Sequence, residues 1–396
     1  MATGRERART FGNLAAGTAF AVVLAFPALD TLLGIDRTPP PQEKRQLAAR
    51  PGAPHSSNAL ASFPGAFDAY VSDHFGFRSL LVRLEARVAV LWLGVPPSPK
   101  VNVMVGRNGW LFFTGDQTIP YIEGTNLFGE AELRAWSVSL RQRNDWLARR
   151  GIRYLVVFAP GSPSIYPEFL PRWVRPSTRG TRLDQLMAAM SSHPEVAVLD
   201  LRPSLVEVKK LAVVYSPTDT HWNNLGSWAA YRAIMGRLSA WFPAAHVSPF
   251  DTFNVAWADG GGGDLAMMAD IQGMIKEPMA WMAPKQGFQA RATHASDYDA
   301  LRPWPRGMEP VITERRDAQI PRAVVFRDSF SMSVAPFLSE HFGRAVYLWI
   351  PEFEPSVIER EKPDLVIQEY AERLLSVVNP ANPPALAAES TNGSGG

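Results

Sequence analysis

The sequence predicts an α/β fold: a central, mainly parallel sheet covered by helices on both faces, preceded by an N-terminal transmembrane helix. Three observations predict it. Short apolar runs recur without polar alternation, as in strands buried on both faces. Helix-patterned segments separate them, and parallel strands need such crossovers. A longer apolar stretch, residues 11–35, stands alone behind Arg5, Arg7 and Arg9.

Composition narrows the function. The 396 residues can bury a sizeable core, and the hydrophobic share of 46% favours a globular body. Lys and Arg number 40 against 38 Asp and Glu, which excludes a dedicated basic surface, so no nucleic-acid partner is expected. Cysteine is absent, so disulfides, thiolate metal sites and cysteine nucleophiles are excluded. The seven histidines form no His-Glu-x-x-His pair, so neither a metal nor a cofactor is expected. Twelve tryptophans point to aromatic surfaces able to meet a flat ligand such as a sugar.

The elements follow in chain order. Residues 11–35 carry no charge before Asp30 and supply roughly the 20 apolar residues that cross a bilayer. Arginines ahead of the run favour an outside body. Residues 1–36 are therefore expected to be a signal anchor. A cleaved signal peptide is the alternative, although Phe26, Pro27 and Leu29 spoil the small-x-small cleavage pattern. Residues 37–62 read as a linker, 63–378 as the folded body, and the Pro/Ala/Ser/Gly-rich 379–396 as a disordered tail.

Within the body, residues 63–92 pattern as helix. Asn108-Gly109 between two apolar runs predicts a hairpin, because both residues tolerate positive φ. Residues 130–150 form an amphipathic helix stopped by Gly151. Strands are expected at 154–159, 196–199, 213–215, 323–326, 345–350 and 364–368, and a helix at 223–241. Residues 250–320 are less regular and include Gly260, Gly261, Gly262, Gly263 and Asp264. They read as a long insertion near a functional edge.

Two segments carry chemistry. In Asp219-Thr220-His221-Trp222-Asn223, the carboxylate and the imidazole are two residues apart and can enter one cleft from an extended turn. A carboxylate on one ring nitrogen fixes the tautomer and leaves the other nitrogen as a base. The plain alternative is a helix-capping loop with a buried histidine. In Arg327-Asp328-Ser329-Phe330-Ser331, an apolar strand turns into a helix. A serine there lies at the carboxyl edge of the sheet, beside a helix N-terminus able to face an oxyanion. Here too a cap is the alternative, and no Gly-x-Ser-x-Gly elbow exists.

Taken together, these pieces resemble the SGNH-hydrolase-like domain of the AlgJ/AlgX alginate O-acetyltransferase family. The matching segments are Gly109-Trp110-Leu111-Phe112, Ile165-Tyr166-Pro167-Glu168, Asp219-Thr220-His221-Trp222 and Arg327-Asp328-Ser329-Phe330, with Gly263-Asp264-Leu265-Ala266 weaker. The resemblance implies a three-layer SGNH-like fold and a periplasmic enzyme, anchored to the inner membrane, that O-acetylates an exported polysaccharide. It implies a triad of Ser329, His221 and Asp219. It also implies a membrane-bound O-acyltransferase partner that delivers acetyl groups. Around the triad, Gly263 and Arg327 are candidates for oxyanion or substrate contact. Asp264 could bond a hydroxyl or its own loop. Trp222 and Tyr166 could line a sugar cleft or pack in the core. Two departures stand out. Pro160-Gly161-Ser162-Pro163-Ser164 lacks a lysine common in the family, and Arg327 replaces the glycine of classical SGNH enzymes. A carbohydrate acetylesterase with the same triad, or a non-catalytic polysaccharide-binding or assembly subunit, would fit the same resemblance.

Overall fold

Seven consecutive buried residues, Leu365–Ala371, show why the sheet is central: no position along this strand faces water. The computed structural model describes residues 4–38, 47–99, 101–316, 318–381 and 386. Most of the predicted tail lies outside the described residues. The chain divides into two units, residues 1–101 with 267–271, and residues 102–266 with 272–396.

In the first unit, the helix Gly4–Leu33 contains a 23-residue segment, Phe11–Leu33, long and apolar enough to cross a membrane. Helices Ser57–His74 and Arg78–Arg87 follow, the second running on as a wider π-helical turn, Val88–Leu93. The linker expected through residue 62 therefore ends earlier. The second unit starts at Asn102, and the helices Ser57–His74 and Arg78–Arg87 belong to the first.

Among the described residues, the second unit holds eleven strands. Strands β1 (Val103–Val105) and β2 (Leu111–Phe113) form the expected hairpin, with Asn108 and Gly109 at φ 56° and 79°. Next come β3 (Arg153–Ala159), β4 (Ala197–Asp200), β5 (Phe253–Gly261) and β6 (Lys276–Pro284). Then follow β7 (Arg291–His294), β8 (Val311–Glu314), β9 (Ile320–Phe326), β10 (Phe342–Leu348) and β11 (Leu365–Ala371). The main sheet has the order β4-β3-β11-β9-β10-β8-β7. Its first five strands are parallel, and β8 and β7 extend it antiparallel. The result is the mainly parallel α/β sheet expected from the sequence.

Two expectations are corrected. Residues 213–215 are not a strand; an isolated bridge between Tyr215 and Trp222 replaces it. Residues 250–320 are not an irregular insertion. They contain the hairpin β5–β6 and two strands of the main sheet.

Candidate active site

The loop after Tyr215 is shaped by its own polar side chains. Asn223 caps the helix Asn224–Leu238 by accepting from the backbone N–H groups of Leu225 and Gly226. One turn earlier, Asp219 Oδ1 accepts the His221 backbone N–H at 2.8 Å and the ring Nδ1–H at 3.0 Å. That bond leaves Nε2 as the basic nitrogen. Nε2 is buried and has no partner among the described residues.

Asp264 supports the loop rather than an external group. Its Oδ1 accepts the Thr220 N–H at 2.7 Å, and its Oδ2 lies 3.7 Å from His221 Nδ1. Its own N–H donates to Asp219 Oδ2 at 3.2 Å. Gly263 is backed against Asp219 so closely that a Cβ would lie 2.5 Å from Asp219 Cβ. The Gly263 N–H donates to Thr218 Oγ1 at 2.8 Å, so it is not directed at an oxyanion here. Thr218 Oγ1 in turn donates to Glu277 of β6 at 3.0 Å.

The electrostatics are coupled. Burial opposes the imidazolium, but the bond to Asp219 and its charge outweigh that, so His221 titrates above its ordinary value. Burial likewise opposes the Asp219 charge and is outweighed by His221, which holds Asp219 below the usual range. Asp264 is pushed up by burial and by the charge of Asp219.

Ser329 follows β9 in a bend before the helix Ser331–Ser339. Asp328 pins this bend: its Oδ1 accepts the Phe330 N–H at 2.9 Å, and its Oδ2 accepts the Ala371 N–H. Glu369, buried in β11, holds it from below. Its Oε2 accepts the Asp328 N–H at 2.9 Å and the Ser331 hydroxyl at 3.0 Å. Burial and the neighbouring Asp328 charge push Glu369 well above the usual carboxyl range.

The two segments meet. The Phe330 ring centroid lies 5.1 Å from that of His221 and 4.9 Å from that of Trp222. Trp222 Nε1–H donates to Ser333 Oγ at 2.9 Å. Ser329 therefore shares a neighbourhood with His221, although no hydrogen bond joins them.

Three candidates need correction. Trp222 is buried and hydrogen-bonded through its indole, so it packs the site instead of offering a face to a sugar. Tyr166 is a core residue: its ring centroid lies 4.3 Å from that of Trp110, and its hydroxyl accepts the Val214 N–H at 2.9 Å. Arg327 is engaged elsewhere: its guanidinium donates to the Asp328 carbonyl at 3.1 Å and lies 4.9 Å from the Trp349 ring centroid. It lines a cavity of about 800 Å³ with Met332, Ala335 and Ser339, on one face of the helix Ser331–Ser339. Burial lowers its guanidinium from the ordinary value.

Glu369 and Glu277 escaped the sequence reading. The signal for Glu369 was present: an acid inside an otherwise apolar strand is rarely buried without a task.

Comparison with known proteins now decides the family. The model of the SGNH hydrolase-like domain of acetyltransferase AlgX matches residues 103–348. The chain belongs to this AlgJ/AlgX-like family of O-acetyltransferases. A Pseudomonas aeruginosa protein named probable alginate O-acetylase AlgJ is 28% identical over 184 residues, 46% of this chain and 43% of that one. Its Pseudomonas putida namesake is 26% identical over 138 residues, 35% of this chain and 34% of that one. The chain thus aligns with less than half the length of either relative. The solved structure of Bacillus cereus PatB1 with a sulfonyl adduct shares the fold, with a TM-score of 0.52 at 15% identity over 69% of this chain and 95% of that one.

Proposed function

We propose that this chain is a periplasmic O-acetyltransferase, held at the inner membrane by its N-terminal helix. It moves acetyl groups onto hydroxyls of an exported polysaccharide through acetyl-Ser329. The observation that carries this reading is the imidazole fixed by Asp219, its Nε2 unpartnered, in the neighbourhood of the Ser329 bend. In the first step His221 Nε2 takes the Ser329 proton as Oγ attacks the acetyl carbonyl, and the proton passes to the departing donor. In the second, a sugar hydroxyl attacks acetyl-Ser329 and gives its proton to Nε2, which returns it to Oγ. The donor is loaded by a membrane-bound O-acyltransferase partner, the partner that the resemblance to the AlgJ/AlgX family implies.

Purified protein given an acetyl donor with and without oligosaccharides tests the proposal. Acetylated oligosaccharide, seen by mass spectrometry and absent for Ser329→Ala, is the expected result. Acetate release indifferent to the sugars, with no acetylated product, would overturn it in favour of an acetylesterase.

A further inference from the structure

The two helices after the membrane-length segment carry an apolar stripe on their outer surface. Leu60, Phe67 and Val71 share a face of Ser57–His74. Leu81, Leu84, Val88 and Trp92 recur at three- and four-residue spacing along Arg78–Arg87 and Val88–Leu93. In a soluble body such a stripe turns inward. Here Phe67 and Val88 are each 50% exposed and Trp92 is 84% exposed, while Ala86 and Val90 are buried. A continuous exposed apolar face of this kind marks an interaction surface.

Its position within the unit identifies the occupant. The Phe26 and Phe77 rings stack with centroids 4.4 Å apart. Asp30 Oδ2 accepts the Phe77 N–H at 2.8 Å, and Gly76 lies so close to Pro27 and Asp30 that no Cβ would fit. The second helix therefore starts against the last third of Phe11–Leu33, where a spanning helix leaves the hydrocarbon. Trp92 at the end of the apolar stripe matches the interfacial zone, where indole rings anchor.

We propose that helices Ser57–His74 and Arg78–Arg87, with Val88–Leu93, lie along the outer surface of the membrane that holds the anchor, their stripe immersed in lipid. This rests on the anchor reading above. It makes the N-terminal unit a foot lying flat on the bilayer as well as a spanning tether.

The absence of cysteine makes the test clean. Full-length Phe67→Cys, Leu84→Cys and Trp92→Cys variants would carry a nitroxide in phosphatidylethanolamine/phosphatidylglycerol vesicles. Collisions with oxygen, which concentrates in lipid, would be compared with collisions with an aqueous nickel chelate. Oxygen should dominate at all three sites, and nickel at Asp68→Cys and Glu85→Cys. Nickel access at residues 67, 84 and 92 equal to those polar sites would overturn the proposal. Low collision rates with both reagents would also overturn it, because the stripe would then be packed on protein. A nitroxide at Leu14→Cys separates the two readings. Oxygen-rich at 14 but nickel-rich at 92 sinks the foot and spares the anchor. A mature mass lacking residue 14 removes the anchor and the basis of the foot together.

Discussion

A single oxygen of Asp219 binds His221 twice, accepting the ring Nδ1–H at 3.0 Å and the backbone N–H of the same residue at 2.8 Å. The second bond fixes the loop, so the first fixes the ring relative to a rigid frame. A carboxylate placed in this way both selects the tautomer and stabilises the imidazolium once Nε2 has taken a proton. Asp264 ties the frame down by bonding Thr220 between them.

In the proposed mechanism the pair and Ser329 act as one unit. Ser329→Ala and Asp219→Asn should each lower kcat/KM for acetyl transfer by about 10³-fold or more, and the double variant should lose little beyond the worse single one. Losses that multiply in the double variant would show that the residues act independently.

The pH profile tests the same geometry. His221 must be neutral to act as a base, and its partners hold it above its ordinary value. kcat/KM should therefore fall on the acid side with an apparent midpoint above about 6.5. Asp264→Asn removes one negative charge near Nδ1, so the midpoint should move towards acid while an acceptor for the Thr220 N–H remains. A midpoint that stays where it was would show that the charge of Asp264 does not reach the ring.

Glu369 predicts a stability effect instead. Its pKa is raised in the folded state, so the folded chain binds more protons than the unfolded one between the two values. Stability should be full below the unfolded carboxyl value and should decline as pH rises towards the folded one. Glu369→Gln keeps an acceptor for Asp328 and Ser331 without the titration. Thermal melts should show a flatter pH dependence in this variant and a higher Tm at neutral pH than wild type. Parallel melting curves across pH would contradict the assignment.

The parallel strands were legible because both of their faces are buried, so apolar runs mark them without alternation. Asn108-Gly109 was legible because few residues tolerate positive φ. Strand β7 was not, since all four residues of Arg291–His294 are exposed and carry no apolar run, although they pair with β8. Nor was the end of β5, where Gly260 and Gly261 read as a loop but pair with Glu277 and Lys276. Val213-Val214-Tyr215 has strand composition, yet its backbone is taken up by the Tyr166 hydroxyl and by Asn223, and only Tyr215 bridges to Trp222. At the site, residue type found Asp219 and His221. It could not tell a packed Trp222 from a stacking one, because an indole serves both roles and only burial separates them.

Gly263 gives the sharpest test of the frame around Asp219. Its φ is not positive, so backbone freedom is not what the position needs. The need is space: an added Cβ would meet Asp219 Cβ at 2.5 Å and its Oδ2 at 2.6 Å. One of the two must move. The Gly263 side is tethered by its N–H to Thr218 and by the Asp264 bonds to Asp219 and Thr220. Asp219 must therefore shift along with the ring it holds, and a displacement approaching 1 Å can cost about 10²-fold in rate. Gly263→Ala should fold, with Tm within a few degrees of wild type, and should lose about 10²-fold in kcat with little change in KM for the acceptor. Loss of KM with kcat preserved would instead place Gly263 against the sugar. Full activity would mean that the loop yields and that Asp219 does not depend on it.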